Sequence, residues 1–169
     1  MNYFELFSIP VSLQPDMQQV KKKFYELSRQ YHPDFYAQAT AVKQNEALEK
    51  AAAVNKAYKV LQNRDETIKY LLATKGLLEE EEKYQLPPDF LMEMLDLNEM
   101  ATDAAMEQNA AKTAQVKTQI ANVETEIYEP VEAIITNYQE GVTTEKELLQ
   151  VKDYYYKKKY LTRILVGLK

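Results

Sequence analysis

The sequence predicts an all-α protein, and three observations carry that expectation. Only 3 Gly and 6 Pro interrupt 169 residues. The long stretches between them are rich in Ala, Leu, Glu, Lys and Gln, residues that lose little on entering a helix. Apolar residues recur at spacings of three and four rather than two. With 46% hydrophobic and 28% charged residues, the chain has core material for one ordinary domain or two small ones.

A short first helix is expected near Tyr3 to Phe7, with Phe4 and Phe7 on its apolar side; Pro10 closes it, because the residue before a proline is pushed out of the helical region. The second opens near Pro15 and Asp16, where a proline is tolerated and an acid suits the positive helix end. Its stripe is Val20, Phe24, Leu27 and Tyr31, and it stops before Pro33. A third pattern runs through Ala47, Ala51, Val54, Tyr58 and Leu61. The second and third stripes then close as an antiparallel hairpin whose loop holds His32, Pro33 and Asp34. Arg64 to Thr74 carries Ile68, Tyr70, Leu71 and Leu72 and ends at Gly76, a natural helix terminator.

The acidic run Glu79 to Glu82 and the pair Pro87-Pro88 mix like charges with helix breakers. We expect a domain over 1–75, a linker over 76–88 with the boundary around Leu77 to Leu86, and a second domain over 89–169. That second domain reads as a three-helix bundle: about Asp89 to Gln108, about Lys112 to Tyr138, and about Thr144 to Leu168, with Gly141 at a turn. The middle helix has a seam of Val116, Ile120, Val123, Ile127, Val131, Ile134 and Tyr138, and Pro130 inside it predicts a kink or local loosening.

Composition excludes whole classes of function. Without Cys there is no disulfide, thiolate zinc site, cysteine-ligated cluster or thiol nucleophile, which points to a reducing compartment, with the cytoplasm as default. Gly76, Gly141 and Gly167 are too scattered for a phosphate-cradling loop. One His, and Ser only at positions 8, 12 and 28, leave little for a hydrolytic triad or a His-rich metal site, so no enzyme, metal or cofactor is expected. No apolar run approaches the ~20 residues of a membrane span. The net charge of -5 is uneven: residues 1–75 hold 11 Lys+Arg against 8 Asp+Glu, giving +3, and residues 76–169 hold 10 against 18, giving -8. Opposite signs suggest two partners, and one short basic face in an acidic chain argues against nucleic acid.

Two features stand out. On its own, His32-Pro33-Asp34 reads as a capped helix end and a turn; beside Lys21, Lys22, Lys23 and Arg29, between two helices that pack on each other, it reads as a rigid exposed tip next to a basic face. The helix from Asp89 has two apolar sides: Phe90, Met94, Leu97 and Ala101 form a core stripe, whereas Leu91, Met92 and Leu95 fall beside Asp96, Glu99 and Asp103. Such a helix is either doubly buried or binds a partner. The last helix repeats this, with one stripe of Val151, Tyr154, Leu161, Leu165 and Leu168 and a second of Tyr156, Tyr160 and Ile164. The tyrosines at 154–156 alternatively fill gaps in the bundle, and the spare ladders alternatively make a homodimer.

The short first helix, the basic second helix ending Tyr-His-Pro-Asp and the returning third helix resemble the J-domain family over roughly Met1 to Thr74. That resemblance implies that His32, Pro33 and Asp34, with the basic face, dock on the ATPase lobe of a DnaK-type chaperone and stimulate ATP hydrolysis. Unlike general J-proteins, the chain has Tyr25 and Glu26 in the basic helix, no Gln-Lys-Arg-Ala pattern near Arg64 to Tyr70, and no Gly/Phe-rich or Cys-rich region. Over its whole length it is similar to the HscB (Jac-type) family of iron–sulfur cluster assembly. The residues that carry this are Asn2 to Phe7, Arg29 to Asp34, Tyr70-Leu71-Leu72 and Phe90-Leu91-Met92-Glu93. The cysteine module of some eukaryotic members is absent, as in the compact bacterial form. The resemblance implies a bundle that binds the scaffold protein IscU and delivers it to the chaperone HscA. Leu91, Met92 and Leu95 would be its apolar contacts, Asp96, Glu99 and Asp103 its acidic ones, and Tyr160 its aromatic one.

Overall fold

A computed structural model describes residues 1–168; Lys169, the final position of the expected bundle, lies outside them. Among the described residues every regular element is helical: α1 (Tyr3–Leu6), α2 (Met17–Gln30), α3 (Ala41–Leu61), α4 (Arg64–Thr74), α5 (Pro88–Met106), α6 (Ala110–Tyr128), α7 (Glu132–Thr136) and α8 (Glu145–Gly167), with 3₁₀ turns at Pro33–Tyr36 and Glu129–Val131. No helix among them is long and apolar enough to cross a membrane. The chain forms two compact units. One is Met1–Thr74 with Tyr138–Val142; the other is Lys75–Asn137 with the chain from Thr143 on.

In the first unit, α3 is the central element, touching α1, α2, the 3₁₀ turn at 33–36 and α4. Phe4, Phe7, Val20, Val54, Ala57, Leu61, Ile68 and Leu71 are buried. The hairpin of α2 and α3 is locked by the Phe24 and Tyr58 rings, stacked with centroids 4.0 Å apart. Asp16 stands before α2 as its cap, accepting from the backbone N–H of Gln18 and Gln19, which is why an acid sits there. Between α3 and α4, the buried Thr67 hydroxyl lies 2.9 Å from the carbonyls of both Val60 and Asn63, giving the end of α3 a side-chain donor. Four-residue α1 is held by its Asn2 cap and by Tyr70, whose hydroxyl accepts from Tyr3 N–H at 3.0 Å while the two rings stack at 4.3 Å.

In the second unit, α5, α6 and α8 enclose a core of Phe90, Met94, Leu97, Ala101, Val116, Ile120, Val123, Leu161 and Ile164. Thr144 and Glu147 form a reciprocal capping box that starts α8. Pro130 does more than kink the middle helix. Lacking an N–H and crowding the preceding turn, it ends α6 at Tyr128, and the chain resumes as α7 only after a 3₁₀ turn. The expected helix to Tyr138 therefore stops at Thr136, and past the break the seam changes: Ile135 is 0% exposed, whereas Ile134 is only partly buried. A stripe extrapolated along one straight axis fails where the axis breaks.

The 76–88 segment, expected as a linker, is fastened to α8 over its second half. Glu82 pairs with Lys152 at 2.6 Å, the Tyr84 hydroxyl donates to Asp153 at 2.8 Å, and the Tyr84 ring stacks on Tyr156 at 4.6 Å. The Lys152 hydrogen bond holds the Glu82 carboxyl below its ordinary range, while desolvation is the main cause that raises the Tyr84 and Tyr156 phenols. Ile164, expected on a spare ladder with Tyr156 and Tyr160, belongs to the core; Leu165 and Leu168 pack only partly against it.

Candidate functional site

The tip between α2 and α3 is built by local chemistry. Tyr31 caps the C-terminal end of α2, and Pro33 starts the 3₁₀ turn at a position where its missing N–H costs nothing. His32 therefore caps the turn that follows it, not the helix that precedes it. Asp34 N–H donates to His32 Nδ1 at 3.2 Å, so in the neutral ring the proton sits on Nε2. The turn is further fastened where the Tyr36 hydroxyl donates to the Gln30 carbonyl and the Gln44 side chain donates to the Tyr36 carbonyl. Its polar side chains reach solvent: those of His32 and Asp34 are 55% and 88% exposed. An exposed carboxylate beside a stiff proline turn suits a bidentate partner such as a guanidinium.

Beside the tip lies a groove of about 880 Å³ lined by Lys22, Tyr25, Glu26, Arg29, His32, Asp34 and Phe35, among others. Lys22, Tyr25, Glu26 and Arg29 share one face of α2 at spacings of three and four, opposite the core stripe. Of the basic cluster, the structure brings Lys22 and Arg29 to this groove. Lys21 and Lys23 lie off it, and Lys23 pairs with Glu26 at 3.7 Å. Sequence reasoning noted Tyr25 only as a departure and passed over Phe35, although both rings are largely exposed. Phe35 carried a usable signal: a large apolar residue one position after the tip, in a loop too short to bury it.

On the second unit, Phe90, Met94, Leu97 and Ala101 face the core, and Leu91, Met92 and Leu95 are 36%, 66% and 61% exposed. Asp96, Glu99 and Asp103 are exposed on the same helix. Tyr160 packs partly on the core and shares with Leu91 a groove of about 660 Å³, whose walls include Lys83, Tyr84, Tyr156, Lys159 and Arg163. The basic residues of this wall went unnoticed in the sequence because they come from two segments far apart in the chain. Among the described residues, no three of His, Cys, Asp or Glu gather in a way that would hold a metal ion.

Residues 2–70 match the DnaJ domain, and residues 86–169 match the HSCB C-terminal oligomerisation domain. The chain belongs to the HscB co-chaperone family. It is 38% identical over 106 residues to a co-chaperone protein HscB homolog of Vibrio parahaemolyticus and 40% identical over 106 residues to that of Vibrio atlanticus. Each match covers 62% of this chain and 62% of the relative, less than two thirds of its length. The chaperone HscB from Vibrio cholerae superposes with a TM-score of 0.77 at 25% identity, over 99% of this chain and 95% of that one. Human co-chaperone protein HscB gives 0.83 at 22% identity over 99% and 80%, a likeness of fold alone. The tip and its groove thus lie inside the J-domain of an HscB-family chain, and the exposed α5 face inside the family's C-terminal domain.

Proposed function

We propose that this chain is a non-enzymatic co-chaperone with two binding surfaces. The His32-Pro33-Asp34 turn, with Lys22 and Arg29 beside it and Lys21 and Lys23 adding to the local positive field, docks on the ATPase lobe of a DnaK/HscA-type chaperone and stimulates ATP hydrolysis. The α5 face, through Leu91, Met92, Leu95, Asp96, Glu99 and Asp103 with Tyr160, holds an IscU-type iron–sulfur scaffold protein and brings it to that chaperone. The observation that carries this is the tip itself, a capped and exposed tripeptide on a hairpin, in a chain of the HscB family. Pro33 sets the turn, Asp34 offers a charge-assisted bond, and the basic face steers toward an acidic lobe. The cluster is cargo of the scaffold, since a chain without Cys offers no thiolate to ligate it.

The test is ATP turnover by the cognate chaperone with wild type and His32→Gln; equal stimulation by both would falsify the docking role. A second reading, association of two copies through the exposed α5 strip, is favoured by the description of the matched C-terminal domain as an oligomerisation domain. Sedimentation of the isolated chain separates the two. A concentration-dependent dimer abolished by Leu95→Asp supports the second reading, and a monomer across the concentration range removes it.

A further inference from the structure

The groove shared by Leu91 and Tyr160 differs in charge from the rest of the α5 face. Lys83 enters from the segment before α5, and Lys159 and Arg163 from consecutive turns of α8. All three side chains are exposed, and among the described residues none of the three makes an ion pair. Lys159 Nζ lies over the Tyr156 ring at 5.9 Å, so the wall is aromatic as well as basic. The wall is not loose chain: the Tyr84–Tyr156 stack, the Tyr84–Asp153 hydrogen bond and the Glu82–Lys152 pair clamp the 82–84 strand of backbone to α8. At about 100° of rotation per residue, Leu91 lies on the groove side of α5, and Leu95, Glu99, Met92, Asp103 and Asp96 lie progressively farther round. The surface therefore runs from a groove in which Lys83, Lys159 and Arg163 outnumber Glu82, itself paired with Lys152, through the strip of Leu91, Leu95 and Met92, which Glu99 enters, to the acidic rim of Asp103 and Asp96.

We infer that Lys159 and Arg163, with Lys83, form a cationic register clamp for an acidic side chain on the scaffold protein, and that the two opposite rims fix the direction in which the scaffold lies across α5. This rests on the scaffold reading above and adds the chemistry of the partner: an apolar contact flanked on one side by carboxylates and on the other by basic groups. The occupant follows from charge complementarity, since free cations at the rim of an apolar strip favour an acidic group and disfavour a basic one. Rim charges act chiefly on association rate and salt dependence, and the apolar anchors on residence time.

The experiment is titration of the full chain with the IscU-type scaffold of the same organism at low and high salt. The set is wild type, Arg163→Glu, Lys159→Glu, Arg163→Lys and Leu95→Ala, each checked for an unchanged thermal midpoint. At low ionic strength Arg163→Glu and Lys159→Glu are expected to weaken binding about tenfold, mostly through association rate, with the loss shrinking as salt is raised; Arg163→Lys keeps most of the affinity. If both reversals bind like wild type, or more tightly, while Leu95→Ala binds weakly, the clamp is wrong and the scaffold reading stands. If wild type does not bind the scaffold, or Leu95→Ala binds as wild type does, the scaffold reading fails and takes the clamp with it. Should Arg163→Glu perturb the thermal midpoint, Lys83→Glu, on a different segment, decides the same question.

Discussion

His32 illustrates how a single residue can serve the fold and still offer groups to the proposed docking surface. Its Nδ1 is taken by the Asp34 N–H, its ring meets Phe35 edge-on at 6.4 Å between centroids, and the side chain stays 55% exposed. Removing the ring should therefore affect docking far more than folding. His32→Ala is expected to abolish most of the stimulation of chaperone ATPase while lowering stability by about 0.5–1 kcal/mol, the scale of one exposed cap, as measured by turnover and thermal melting in parallel. Thr67 is the opposite case, fully buried and part of neither proposed surface. Thr67→Val keeps the shape and removes the donor to the Val60 and Asn63 carbonyls, so it should cost about 1–2 kcal/mol in denaturant titration and leave docking intact. The sequence alone made the tip legible, because Pro33 and Asp34 have strong local preferences. It did not reveal the cap on the 3₁₀ turn, which depends on a rotamer, or Thr67, whose acceptors lie up to seven residues away.

At the scale of elements, helix periodicity was a good guide along α5 and most of α6, and a poorer one toward the end of α8, where Ile164 rather than Leu165 or Leu168 joins the core. The Phe90, Met94, Leu97 and Ala101 stripe and the Val116, Ile120 and Val123 seam are buried as their spacing requires. Beyond Pro130 the periodicity misleads, and the difference is measurable. Ile135→Ala should cost the second unit about 2–5 kcal/mol, the range for truncating a fully buried aliphatic side chain, and Ile134→Ala clearly less, by equilibrium unfolding. The clasp that fastens 82–84 to α8 has a pH signature. Hydrogen bonding to Lys152 lowers the Glu82 carboxyl from its ordinary 4.5, so the folded state holds that proton less tightly than the unfolded chain. Its stabilising contribution is complete above the unfolded value and is lost as pH falls through the folded one. The difference in stability between wild type and Glu82→Gln should therefore be constant near neutrality and shrink under acid; a difference that grows on acidification would contradict the assignment.

For the whole molecule, two compact units carry the two proposed surfaces, and they differ in charge: the first holds 10 Lys+Arg against 9 Asp+Glu, net +1, and the second 11 against 17, net -6. The two proposed surfaces have no residue in common, and sites with no shared partners usually contribute independently. His32→Gln is accordingly expected to leave scaffold affinity unchanged. Leu95→Ala should leave scaffold-free ATPase stimulation unchanged while weakening scaffold binding roughly thirtyfold, the effect of truncating an anchor worth about 2 kcal/mol. Loss of both activities in either single variant would contradict independence. The all-helical class, the order of the helices and the tip were already decided along the chain, because helix propensity, apolar spacing and proline act over a few residues. Folding decided the rest: that Ile135 rather than Ile134 is buried, that Ile164 joins the core, and that Lys83 meets Lys159 and Arg163 around Leu91. Pro130 marks where the axis breaks, but how the chain packs after the break and which distant segments lie side by side are set by tertiary packing, which no local pattern encodes.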